Sequence, residues 1–280
     1  MKVHLTNQVR DAYPTLEAFL QRNFELSNTI DSETVSIQDS ASFQNETNAL
    51  DTIVITNRTD LENVIFLNTN PINHLIGNSS CLEKELERVL RKIQTNNLFG
   101  IEKYLNEDAI IHSLQILHSK DAPEQIESLL SKFNYDEVFS SPRDNLRVVL
   151  NELIMNAFFH QEHLIDQNRK NSVFVSSDEA INVLIGMDSV NIVILVKDNI
   201  GKIDRDRVLS SIKRGFIERR PRTEGPGAGL GLMMVYENIN QLHINNKKNR
   251  FCEFVGIIDI SKRYKNFKER ITSFHYFEEE

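Results

Sequence analysis

The sequence predicts two domains, an α/β amino-terminal domain and an α+β carboxy-terminal domain, and three observations carry that reading. Short apolar strands alternate with helical stretches in the first hundred residues, which favours a parallel sheet with helices on its faces. Past about Pro123 two helices precede a run of paired strands, an α+β order. The pattern changes after "NEDAIIHSLQILHSKDAP", which places the boundary near residues 100–122. The organisation expected is therefore residues 1–100, a helical connector at 101–122, and a second domain at 123–280.

In chain order, "KVHL" reads as a strand, "YPTLEAFLQRNF" as a helix, and "TVSI", "DTIVIT" and "NVIFLN" as further strands with polar turns between them. A long helical stretch runs from "CLEKELERVLRKIQ" into "GIEKYL". The second domain begins with the helices "PEQIESLLSKF" and "RDNLRVVLNELIMNAFFHQEH", followed by the strands "SVFVSS", "AINVLIGM" and "VNIVILVKD". A basic segment, a glycine-rich loop opening a helix, and the strand "FCEFVGIIDI" complete the pattern.

Composition narrows the function classes. The net charge of -8 argues against general nucleic-acid binding, which needs a basic footprint. No apolar run approaches a membrane span and the first residues lack a leader's apolar core, so a cytoplasmic protein is expected. Cys81 and Cys252 lie far apart with no paired spacing, which suggests neither a disulfide framework nor a zinc site. The exception to the acidic balance is Lys202 to Arg222, with eight basic residues against Asp204, Asp206 and Glu218. Taken alone, that stretch reads as a solvated face.

Three stretches carry candidate chemistry. In the first, Leu146, Val149, Leu150, Leu153, Ile154 and Ala157 form one apolar stripe at helical spacing, and Glu152 and Asn156 sit beside it four residues apart. His160 and Gln161 follow one turn on. On its own Glu152 reads as a solvated helix residue. Together, a carboxylate and a carboxamide one turn apart can position a hydroxyl and hold a magnesium ion. In the second, the apolar run Ile192 to Val196 leads to Asp198, with Gly201 just beyond. Such an aspartate can accept a hydrogen bond from an exocyclic amine, and it is also an ordinary turn residue.

The third is "EGPGAGLGLMMV". Four of the ten glycines, Gly225, Gly227, Gly229 and Gly231, fall at alternate positions there, with Leu230 between the last two. Glycine costs roughly 0.5–1 kcal/mol relative to alanine inside an element, so a cluster belongs where the backbone turns or approaches a ligand. A glycine loop opening a helix suits a phosphate. A flexible surface loop would read the same way, and the spacing fits neither a P-loop nor a dinucleotide fingerprint.

The ordered trio "NELIMNAFFH", "VKDNIGKID" and "GPGAGLGL" resembles the GHKL superfamily of ATPases, over about residues 123–262. The resemblance implies the Bergerat fold, an antiparallel sheet under helices, with ATP and Mg2+ as ligands. It implies Glu152 as general base, Asn156 as magnesium ligand, Asp198 with Gly201 on the adenine side, and Gly225, Gly227, Gly229, Leu230 and Gly231 around the phosphates. The basic stretch becomes the lid. The form of Glu152, Asn156, Ala157 and His160 is most similar to anti-sigma-factor serine kinases. That branch implies a bacterial-type signalling enzyme acting on a regulatory partner protein, with a homodimer left open. A nucleotide-dependent binding switch and a histidine kinase relative acting on a separate domain are the alternatives. Neither His112 nor His118 is followed by the sequence of a phosphoacceptor helix. Ile200 and Lys202 stand where the family has glycines.

The first hundred residues resemble a receiver domain of two-component signalling, of flavodoxin-like fold, in strand order and length only. Receivers carry an acidic pair after the first strand, an aspartate after the third and a lysine after the fifth. Here Thr6, Asn7 and Asn57 fall at the expected acid positions, and "HLIGNSS" stands where the lysine belongs. The expectation is a pseudo-receiver.

Overall fold

A computed structural model describes residues 1–45, 48–79, 81–133, 140–159, 173–219, 230–261 and 270–280. The chain is an α/β protein with mixed sheet, and divides into two compact units, Met1–Leu98 with Arg270–His275, and Phe99–Glu269 with Tyr276–Glu280. No helix among the described residues is long and apolar enough to cross a membrane.

The first unit runs β1 (Lys2–Leu5), α1 (Asn7–Ala12), α2 (Pro14–Gln21), β2 (Glu25–Leu26), β3 (Thr34–Asp39), β4 (Asp51–Thr56), α3 (Asp60–Thr69), β5 (His74–Gly77) and α4 (Leu82–Thr95). Its strands are parallel in the order β2-β1-β3-β4-β5. β3 is buried at Thr34 through Gln38, as a strand covered on both faces must be. α4 buries Leu82, Leu86, Val89 and Leu90 and stops at Asn96, whose φ of 50° places it in the left-handed region of a helix end.

Two expectations are corrected here. "NVIFLN" is helix, not strand: it lies inside α3, started by a capping box in which the Glu62 carboxylate accepts from the Thr59 amide at 2.9 Å. Val64 and Leu67, three apart, are its buried apolar residues, a helical rather than alternating spacing. The helix read from "CLEKELERVLRKIQ" into "GIEKYL" breaks at Asn96, and only a single 3-10 turn, Ile101–Tyr104, follows.

The second unit runs β6 (Ile110–Ile116), α5 (Ala122–Ser131), α6 (Ser140–Phe159), β7 (Ile181–Met187), β8 (Asn191–Asp198), α7 (Arg205–Glu218), α8 (Gly231–Glu237), β9 (Gln241–Lys247) and β10 (Phe251–Asp259). Its strands are antiparallel in the order β9-β10-β8-β7-β6. Helices cover one face: a Cβ built on Gly256 of β10 would lie 3.1 Å from Ile239 and 3.7 Å from Val149 of α6. On the other face Ile101 and Tyr104 pack with Val193, Leu195, Val255 and Ile257. Burial on both faces explains the unbroken apolar runs of β8 and β10.

The expected helical connector at 101–122 is corrected. Its centre is β6, paired residue for residue with β7 from Ile110↔Met187 to Ile116↔Ile181. His112 lies in this strand with its ring 5.1 Å from Phe133, which makes it a packed sheet residue. The described residues of "SVFVSS" give an isolated bridge between Phe174 and His118, then a capped turn at Ser177–Glu179.

The basic segment departs from its lid assignment as well. Arg205–Glu218 is a regular helix, capped by the Asp204 carboxylate on the Arg207 amide at 2.7 Å, with Val208, Leu209, Ile212, Gly215 and Phe216 buried. A helix with that much buried apolar surface is part of the core layer; Arg220 and Arg222 lie outside the described residues. α8 is only seven residues long, and Ile239 packs over the sheet beyond it.

Strands β9 and β11 (Ser273–Glu279) were not read from the sequence. Ser273 to His275 of β11 belong to the first unit, antiparallel to β5 with His275 opposite His74. Tyr276 to Glu279 belong to the second, where the Lys248 amide donates to the Glu279 carbonyl at 2.9 Å.

Candidate nucleotide-binding site

All six residues of the expected stripe on α6, from Leu146 to Ala157, are buried against the sheet and neighbouring helices. That burial fixes the helix rotation, so Glu152 and Asn156 emerge half-buried on one adjoining face. What they meet there is Gly231, the first residue of α8. A Cβ built on Gly231 would lie 2.2 Å from Glu152 Oε2 and 3.7 Å from Asn156 Nδ2. The first and third sequence stretches thus converge on one point, and glycine at 231 leaves the room that the carboxylate occupies. Asn156 Nδ2 is buried and has no hydrogen-bond partner among the described residues. A carboxamide can be turned over to exchange nitrogen and oxygen, so this side chain is equally able to present Oδ1 to a cation.

Leu230 is the residue capping α8, and its side chain lies 3.8 Å from a Cβ built on Gly215 of α7. The same construction at Gly215 comes within 2.5 Å of Met233 Cβ, so α7 and α8 pack backbone to side chain. Gly225, Gly227 and Gly229, with His160 and Gln161, lie outside the described residues.

Asp198 ends β8 and is 1% exposed. By strand alternation it shares a face with Ile194, which pairs with Gly256, the residue beneath α6. Its Oδ1 accepts from the Ile200 amide at 3.1 Å and the Gly201 amide at 3.3 Å. Gly201 has φ +61°, and a Cβ there would lie 2.3 Å from the Lys247 carbonyl and 2.6 Å from the Phe251 amide. Glycine is therefore required at 201 by both conformation and space, although Ile200 and Lys202 flank it. Beside Asp198, Cys252 is fully buried; burial and then the Asp198 and Glu253 carboxylates push its thiol pKa well up, as suits an unreactive cysteine.

The carboxyl ends of the parallel strands in the first unit correct one residue assignment. The short β2 makes β3 the third strand, and it ends in Asp39. Asp39, not Asn57, therefore stands at the third-strand position; Asn57 follows the fourth strand. The missed signal was a two-residue strand, too short to register as alternation. Thr6 and Asn7 still follow β1, and Asn78 follows β5. Asn78 Nδ2 donates to Asn57 Oδ1 at 2.9 Å, and Asp39 Oδ1 accepts from the Ala41 amide at 2.7 Å. Tyr13 sits among them: burial raises its pKa, a hydrogen bond with Asn57 opposes that, and the Asp39 charge adds to it.

Against known proteins, the chain matches no family model and no curated sequence at a significant level.

Proposed function

We propose that the chain is a cytoplasmic ATP-binding signalling protein of the GHKL type, whose second unit transfers a phosphoryl group to a serine or threonine hydroxyl of a regulatory partner. The observation that carries the reading is the seat of Gly231 against Glu152 and Asn156. It joins the end of a glycine loop to a carboxylate and a carboxamide, the parts phosphoryl transfer needs close together. The run of antiparallel strands β9-β10-β8-β7-β6 with helices on one face agrees with a Bergerat fold. The parallel order β2-β1-β3-β4-β5 of the first unit is that of flavodoxin-like domains. Without acids at Thr6 and Asn7 or a lysine at Asn78, that unit is best read as a pseudo-receiver, even with Asp39 in place.

In this mechanism Asp198 accepts from the exocyclic amine of adenine while Gly201 lets the chain turn beneath the base. Glu152 takes the proton of the acceptor hydroxyl as its oxygen bonds the γ-phosphorus; the bond from that phosphorus to the bridging oxygen breaks, and ADP leaves. Asn156 would hold Mg2+, which supplies charge neutralisation at the phosphates. One protein oxygen with phosphates and waters is a normal magnesium set, so no multi-carboxylate cluster is needed, and among the described residues none is present.

The test is incubation with labelled ATP and candidate acceptor proteins encoded nearby. The expected product is acid-stable, base-labile phosphoserine or phosphothreonine. Acid-labile phosphohistidine on the acceptor would replace this reading with that of a histidine kinase relative.

A further inference from the structure

The loop after Asp198 lacks two of the glycines that the resemblance leads one to expect, yet it is tied down from the far side. Its Ile203 carbonyl accepts from the Tyr276 hydroxyl at 3.0 Å and from Asn246 Nδ2 at 3.2 Å. Both donors are buried, Tyr276 at 8% exposure and Asn246 at 1%. The Glu278 carboxylate closes the set, 2.7 Å from the Tyr276 hydroxyl and 2.9 Å from Asn246 Nδ2. The tyrosine's single proton is directed to one acceptor at a time, and the two N–H bonds of Asn246 serve the other contacts. Burial, then the bond with Glu278, pushes the Tyr276 pKa well up, so the hydroxyl stays a donor at any working pH.

Strand register ties this clamp to the candidate site. Asn246 pairs with Cys252, and Cys252 with Asp198, so the three lie in one row across β9, β10 and β8. The row spans two strand spacings, about 10 Å. The loop's other fixed point is the β9–β10 turn, where the Asn249 amide donates to the Gly201 carbonyl at 2.9 Å. Asn199 at the start of the loop donates to the Ala180 carbonyl at 3.1 Å. The segment from Asn199 to Asp204 is thereby held at its start, its turn and its end.

We infer that Tyr276, with Asn246, is a positioning residue for the base-binding side of the site, holding the loop after Asp198 in a preformed shape through the Ile203 carbonyl. The inference rests on the nucleotide reading of Asp198. It assigns to the carboxy-terminal strand a part in recognising the base rather than the phosphates. Preorganisation of this kind contributes affinity by removing an ordering cost from binding.

The experiment compares dissociation constants for ATP and for inorganic tripolyphosphate, each with Mg2+, in wild type, Tyr276→Phe, Asn246→Ser and Asp198→Ala. Tyr276→Phe keeps the ring and removes the hydroxyl with its contacts to the Ile203 carbonyl and the Glu278 carboxylate. It is expected to weaken ATP roughly 3- to 10-fold and leave tripolyphosphate unchanged. The ratio of the two affinities is the informative readout, because a general loss of stability weakens both ligands together. If Asp198→Ala loses its preference for ATP while Tyr276→Phe and Asn246→Ser keep the wild-type ratio, the positioning role is wrong and the nucleotide reading stands. If the wild type itself shows no preference for ATP, the nucleotide reading fails and this inference falls with it.

Discussion

If the proposed function holds, Glu152→Ala is expected to lower phosphoryl transfer to the partner by ~10²–10⁴-fold, the usual loss on removing a positioned base, while ATP affinity stays within a few-fold of wild type. The split follows from position. Glu152 Oε2 lies over Gly231, on the phosphate side of the proposed site, whereas recognition of the base is assigned to Asp198. Asn156→Ala is expected to differ, weakening the magnesium-dependent part of binding together with transfer. The measurement is single-turnover transfer alongside equilibrium nucleotide binding. Equal turnover in wild type and Glu152→Ala would reject the base assignment. A wild type that turns over no ATP, yet binds a partner differently in its ATP and ADP forms, would replace the kinase with a binding switch.

Glu85→Gln is expected to raise the melting temperature at pH 9 and to flatten its dependence on pH between 5 and 9. Glu85 of α4 and His275 of β11 are both buried in the first unit, with Glu85 Oε1 2.9 Å from His275 Nε2. Burial pushes the Glu85 carboxyl up to about 8, against opposing contributions from a Ser273 hydrogen bond and the Arg88 charge. Burial also lowers His275 well below its ordinary range, assisted by the charges of His74, Lys92 and Arg88. Both shifts favour the neutral forms.

A carboxyl whose folded pKa is raised contributes stability that is complete below its unfolded value and is lost as pH rises through about 8. For His275 the sign is opposite: its contribution is present above the ordinary histidine value and lost as pH falls through its depressed one. At about 1.4 kcal/mol per pH unit, the Glu85 span sets an upper bound on the order of 5 kcal/mol. Glutamine keeps a donor for His275 and cannot ionise, so only the alkaline loss disappears. Thermal melts at pH 5, 7 and 9 read this out. A wild type equally stable at pH 7 and 9, or a variant less stable than wild type at pH 9, would contradict it.

The stripe on α6 was legible because one buried face at helical spacing leaves a distinct periodicity, and Leu146 through Ala157 carry it without interruption. β8 and β10 were legible as continuous apolar runs for the related reason that both their faces are covered. Where the reading failed, the local pattern was weaker than a feature it could not see. "NVIFLN" is rich in β-branched and aromatic residues, but the Thr59 and Glu62 cap decides for helix. β6 falls in the stretch 101–122 that the sequence pattern presents as a helical connector, and its partner β7 lies far along the chain. β2 is too short to show alternation, and missing it shifted the strand count and concealed Asp39. The meeting of Gly231 with Glu152 is a tertiary contact. Motif order suggested it, but only packing of α8 against α6 brings it about.

The proposed nucleotide site is built on Asp198, Glu152 and Gly231. Its most direct measurement is thermal unfolding of wild type and Asp198→Ala with and without millimolar ATP and Mg2+. A ligand bound by the native state alone, present at ~100 times its Kd, adds about 2.7 kcal/mol. At roughly 2–4 °C per kcal/mol for a domain of this size, the wild type should gain several degrees. Asp198→Ala should gain none. An unchanged wild-type melting temperature, or an equal gain in both proteins, would contradict the assignment.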